Sequence, residues 1–121
     1  MSFTDDAAIR RLQSNAVSLL FKLLTEDLPV ATWGVSDVLD LEGGTGELDG
    51  QLSHDSGDSE ALEGMVNQWA GYLRVTPLWD PDGDGGRLHA VGEVGGVKVE
   101  VWAYLGQPPM RHYPPLYPDD L

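Results

Sequence analysis

Arg87-Leu88-His89-Ala90-Val91-Gly92-Glu93-Val94-Gly95-Gly96-Val97-Lys98-Val99-Glu100-Val101-Trp102-Ala103-Tyr104-Leu105 decides the fold. Two β-rich runs flank a Gly-Gly pair, the composition that a two-residue hairpin turn requires. Folding the runs about that pair sets Val94 against Val97, Gly92 against Val99, Ala90 against Val101 and Leu88 against Ala103. These pairs make one apolar face. The other face sets Glu93 against Lys98, Val91 against Glu100, His89 against Trp102 and Arg87 against Tyr104. A slip of one residue would mix the faces, so the register is specified by the pattern itself.

Working outward, residues 4 to 27 predict a helix. Thr4 is placed to cap it, with Asp5 and Asp6 at the positive end of its dipole. Ile9, Leu12, Ala16, Leu19 and Leu23 follow 3,4 spacing, and Val17, Leu20, Phe21 and Leu24 widen the stripe. Pro29 ends the element. Residues 30 to 36 predict a strand with Trp33 and Val35. A glycine-rich acidic connection leads to a second strand, where Leu48, Gly50 and Leu52 alternate with Glu47, Asp49, Gln51 and Ser53. Asp58 or Ser59 caps a second helix that runs to Leu73, with Leu62, Met65, Val66, Trp69 and Leu73 as its buried stripe. Val75 to Trp79 predicts a short strand, at an edge or bulged because Pro77 lacks a donor. The expected architecture is a two-layer α+β fold in the order α-β-β-α-β-β-β. About five antiparallel strands form its sheet, with both helices on one face. Residues 1 to 106 make one domain; residues 107 to 121, holding Pro108, Pro109, Pro114, Pro115 and Pro118, make an extended tail.

With 121 residues, 41% of them hydrophobic, one core needs no staples. The absence of cysteine removes disulfides, thiolate metal sites and cysteine nucleophiles. No basic, apolar leader opens the sequence and no run approaches the roughly 20 apolar residues that span a bilayer, so a cytoplasmic location is expected. A net charge of −13 argues against direct contact with nucleic acid or anionic lipid and favours a basic protein partner. No Lys or Arg stands between Lys22 and Arg74, a stretch that includes Asp37, Asp40, Glu42, Glu47 and Asp49. These five carboxylates are candidate partner-binding residues. Arg87, His89, Trp102 and Tyr104 are the others, because their mixture of aromatic and cationic groups is the kind that anchors protein interfaces.

Asp80-Pro81-Asp82-Gly83-Asp84-Gly85 matches the first half of a calcium loop, which makes Asp80, Asp82 and Asp84 candidate metal ligands. The second half departs from the pattern, since Val91 stands where a bidentate Glu belongs; a plain hairpin turn is the leading reading. His54, His89 and His112 have no ligand spacing. No serine elbow or phosphate loop is present, and no catalytic residue or cofactor is assigned. Pro114-Pro115-Leu116-Tyr117 has the form of the PPxY ligands of WW domains, but packing of Tyr113 and Tyr117 on the same domain or a second copy is the simpler expectation.

Leu28-Pro29-Val30-Ala31-x-Trp33, a glycine-containing second strand, Trp69-Ala70-x-x-Leu73 and Gly96-Val97-x-Val99-x-Val101-Trp102-Ala103 together resemble small uncharacterised acidic α+β proteins of actinobacteria and their phages, over residues 15 to 105. The resemblance implies a cytoplasmic accessory or phage-borne role and transfers no catalytic residue. The leading expectation is a non-enzymatic interaction module, such as an inhibitor, that binds a basic protein. The alternatives are a calcium-responsive or small-molecule-binding domain, and a structural component that forms a homo-oligomer.

Overall fold

The computed structural model describes residues 3–38, 45–54 and 57–116, with the side chains of residues 3–5, 37, 38 and 45 outside that description. The elements are α1 (Phe3–Leu23), β1 (Ala31–Val38), β2 (Thr45–Leu52), α2 (Ser59–Leu73), β3 (Leu78–Asp82), β4 (Gly85–Val94) and β5 (Val97–Leu105). This is the expected α+β order. The five strands form one sheet in the order β1-β2-β5-β4-β3. Three pairings are antiparallel, but β2 and β5 run parallel, so the expectation of a wholly antiparallel sheet is corrected at its centre. The reason is topological. β5 enters between two strands already joined to other partners, and α2 carries the chain across the sheet before β3 starts.

The β4–β5 hairpin has the register that its two-faced pattern specifies, from Val94↔Val97 to Arg87↔Tyr104. Gly95 and Gly96 have φ of 58° and 81°, the two left-handed residues that a type I′ turn demands. Leu88, Ala90, Val99, Val101, Ala103 and Leu105 are all fully buried on the apolar face. Leu48 and Leu52 of β2 continue that face. Both helices cover it. Gly46 lies under Leu12 and Ala16 of α1, and Gly92 lies under Leu73 at the end of α2. Trp69 joins the two layers: it meets Trp33 edge-on at 5.5 Å, and its Nε1–H donates to the Pro29 carbonyl at 2.9 Å.

Several boundaries differ from the sequence reading. α1 stops at Leu23 because Thr25 turns back on Lys22, through both its N–H and its hydroxyl. β3 starts after Pro77 and not before it; Pro81 is accommodated because β3 is an edge strand. The wide apolar stripe of α1 divides in two. Ala16 and Leu23 are buried, whereas Val17, Phe21 and Leu24 are 51%, 75% and 64% exposed.

After Leu105 the chain is extended but anchored to its own domain. Gly106 N–H donates to the Ser59 hydroxyl. Buried Glu63 accepts from Met110 N–H (2.7 Å), Arg111 N–H (3.1 Å) and the Tyr113 hydroxyl (2.6 Å). Pro114 and Leu116 then hydrogen-bond the backbone of Trp79 on the outer side of β3. Thus the tail covers one edge of the sheet. Among the described residues no helix is long and apolar enough to cross a membrane.

Gly46 is the closest approach of sheet and helix that a side chain would disturb. A Cβ there would stand 2.7 Å from the Leu12 carbonyl oxygen, which as backbone cannot swing aside. Gly46→Ala is therefore expected to cost about 1–3 kcal/mol, read as a lower urea midpoint with unchanged slope.

Candidate functional site

The site is built on the sheet face that no described helix covers. Side chains alternate along each strand, so burying Val97, Val99, Val101 and Ala103 turns Lys98, Glu100, Trp102 and Tyr104 outward. The register brings Arg87, His89, Val91 and Glu93 beside them from β4, and Glu47, Asp49 and Gln51 from β2. Leu78 and Asp80 of β3 continue the row, opposite His89 and Arg87.

Trp102 is the centre of this face and is held from three sides. Its Nε1–H donates to Asp49 Oδ1 at 2.8 Å. The Arg87 guanidinium lies 5.0 Å from its ring centroid, within cation–π range. The His89 ring stacks on it at 6.3 Å and 28°. Tyr104, beside it on β5, is 48% exposed. A partly exposed tryptophan locked in one orientation loses little freedom when a partner covers it.

His89 is buried although it belongs to the open face. Its Nδ1–H donates to Glu100 Oε2 at 2.5 Å, and Nε2 is buried with no partner. The hydrogen bond from His89 holds the Glu100 carboxyl below its ordinary value, against the opposing effect of burial and with help from Lys98 and Arg87. An imidazole oriented by a carboxylate resembles half of a catalytic apparatus. Here, however, the nitrogen that would take a substrate's proton is closed off from solvent. The pair acts as a rigid floor for Trp102.

The candidate residues thus divide. Glu47, Asp49, Arg87, His89, Trp102 and Tyr104 come together on one face. Lys98 Nζ lies 3.9 Å from Glu47 Oε1, an exposed pair worth little to stability. Asp37 belongs to β1, with its side chain outside the description; Asp40 and Glu42 lie outside the described residues altogether. The remaining described carboxylates of the acidic stretch do not gather there. Asp58 caps α2 by accepting from Glu60 N–H, Glu26 and Asp27 follow α1, and Glu63 is committed to the tail. Among the described residues, the run is acidic in sequence without being one patch in space.

Asp80 and Asp82 fall in β3 and Asp84 in the β3–β4 turn, where Gly83 has φ of 65°. That is a two-residue hairpin turn with glycine first, the plain turn of the leading reading. Among the described residues no group of three or more His, Asp or Glu side chains could hold a metal ion; of the three aspartates, two stand in β3 and Asp84 in the turn. His54 and His112 are exposed at separate places in the chain.

Glu63 is the residue that sequence reasoning missed. It was one more carboxylate in an acidic run, yet Ser59, Glu63, Val66 and Ala70 share a 3,4 spacing that turns them inward together. Tyr113 donates to Glu63 and accepts from Asn67 at 2.8 Å. Burial, followed by the hydrogen bond to Glu63, raises its hydroxyl above the ordinary tyrosine range.

No protein-family model matches this chain, and no curated protein or solved structure matches it either.

Two measurements check the site. Glu100 has a depressed pKa in the folded state, so its contribution is present above its ordinary value of 4.5 and is lost as the pH falls through the lower folded value. The wild type should melt higher than Glu100→Gln at neutral pH, and that advantage should shrink below pH 4.5. Glu63→Ala removes the acceptor for three donors. Trypsin should then cut after Arg111 at least roughly tenfold faster, since charge-assisted hydrogen bonds are worth about 1.5 kcal/mol or more. An unchanged cutting rate would show that the tail is held elsewhere.

Proposed function

We propose that this chain is a non-enzymatic, cytoplasmic protein-binding module of the accessory or inhibitor kind, and that it meets its partner with the helix-free face of its sheet. The observation that carries this reading is Trp102, partly exposed and fixed by Asp49, Arg87 and His89 in the middle of that face. A preorganised tryptophan flanked by an exposed tyrosine and an arginine has the make-up of an interface hot spot.

Charge supports a basic partner. The face carries Glu47, Asp49, Asp80, Glu93 and Glu100 against Arg87 and Lys98, on a chain of net charge −13. Such a surface speeds encounter with a cationic protein and repels nucleic acid and anionic lipid. The carboxylates of the open face, and not the whole acidic stretch, supply this complementarity.

The test is capture from native lysate at low salt, followed by affinity measurement with the captured protein. Tyr104→Ala should weaken binding by about tenfold or more, as hot-spot truncations do, while melting is little changed at this exposed position. Affinity should fall steeply as salt rises. Salt-insensitive binding, or a Tyr104→Ala variant that binds as well as wild type, would rule this reading out.

A further inference from the structure

We infer that the outer edge of β1, together with the exposed stripe of α1, is a self-association surface that joins two copies of this chain across a two-fold axis. The two edges of the sheet are treated differently. At β3, the tail at Pro114 to Leu116 takes up the outward backbone groups of Trp79. At β1, no described strand lies on the outer side. β1 is eight residues long and contains neither proline nor lysine, two devices that blunt an open edge; its one charged residue is Asp37, next to its end.

The helix above that edge is marked in the same way. Asn15, Ser18 and Lys22 of α1 line a groove against the β4–β5 turn. Helical periodicity sends Val17, Phe21 and Leu24 to the opposite flank, over β1. Leu24 there shares a crevice with Val30, Ala31 and Trp33. Val17, Phe21, Leu24, Val30 and Val35 are 51%, 75%, 64%, 85% and 39% exposed. Five large apolar side chains around one open edge are more than scattered surface hydrophobics.

Charge and symmetry identify the occupant as a second copy. Two molecules of net charge −13 repel each other wherever carboxylates meet. Between Ala7 and Thr25, and again between Leu28 and Ser36, the sequence contains no Asp or Glu. These acid-free runs hold most of α1 and most of β1, so the open edge is acid-poor, with Glu26 lining the crevice beside Leu24 and Asp37 near the far end of β1. Antiparallel pairing of β1 with β1 of the second copy uses a two-fold axis normal to the sheet, which keeps both α1 helices on the same side. With strands about 4.8 Å apart and α1 over β1 and β2, the two helix axes come within roughly 10–15 Å, a gap that Phe21 and Leu24 side chains fill. A strand from another protein would satisfy the edge but leave the α1 stripe bare. β5 has a neighbour on each side and offers no edge for such pairing.

Sedimentation equilibrium of the full chain tests this. The wild type at up to about 100 µM should give twice the 13.1 kDa chain mass. Phe21→Glu with Leu24→Glu, and separately Val35→Lys, should give the single-chain mass with an unchanged circular dichroism spectrum. Tyr104→Glu, on the open sheet face, should stay dimeric. A monomeric wild type would overturn the inference. So would variants of α1 and β1 that remain dimeric, or dissociation caused by Tyr104→Glu.

Discussion

The fold depends on β5, the last strand in the chain and the central strand of the sheet. Val97, Val99, Val101, Ala103 and Leu105 form an apolar strip with exposures of 3% or less, and both helices rest on the face to which it belongs. Before β5 is in place, the β1–β2 hairpin with α1 has no continuous sheet to join, nor do β3 and β4. Its parallel contact with β2 links residues about fifty positions apart. Closing such a contact is costly before the rest of the core rewards it, so the β4–β5 hairpin, local and turn-directed, is the natural first piece. Gly95 and Gly96 therefore set more than a turn; they set the strand against which everything else aligns.

The same strip explains why the sequence was legible in part. Period-two alternation together with a Gly-Gly turn determines both partner and register, so the hairpin could be read residue by residue. Leu48, Gly50 and Leu52 likewise announced which side of β2 is buried. Nothing in β2 says that its other neighbour is β5, or that the two run parallel, because alternation reports faces and is blind to neighbours. On α1, composition showed a wide apolar stripe but not that its two halves have different fates. Only the position of the sheet beneath the helix separates Ala16 and Leu23 from Val17, Phe21 and Leu24.

The aromatic face was legible because it is the complement of a readable pattern: once the apolar residues of the hairpin are turned inward, Arg87, His89, Trp102 and Tyr104 have nowhere else to go. What could not be read was the mutual fixing of those side chains. The Trp102–Asp49 hydrogen bond crosses from β5 to β2 and depends on the parallel register. The acidic stretch misled for a related reason. Counting carboxylates along a chain assumes that neighbours in sequence share a surface, whereas strand, cap and buried clamp send Asp49, Asp58 and Glu63 to three different jobs.

A strongly acidic protein that must still make contacts has to separate its surfaces by charge, and the two proposed here divide in that way. The open sheet face keeps its carboxylates and suits a cationic partner. The β1 edge and the α1 flank are acid-poor, with none between Ala7 and Thr25 or between Leu28 and Ser36 and with Glu26 and Asp37 beside those runs, and suit a copy of the same chain. The two surfaces do not compete, since one lies on the plane of the sheet and the other along its rim. In a dimer across β1 the two-fold axis is normal to the sheet, so both open faces point the same way. β5 is the third strand from that rim, which places the two Trp102 clusters about 24 Å apart at 4.8 Å per strand. Two hot spots at that spacing on one continuous face would bind an elongated or repeated cationic target more tightly than either would alone, without any new contact. The proposed association would thus close the β1 edge and double the valency of the open face.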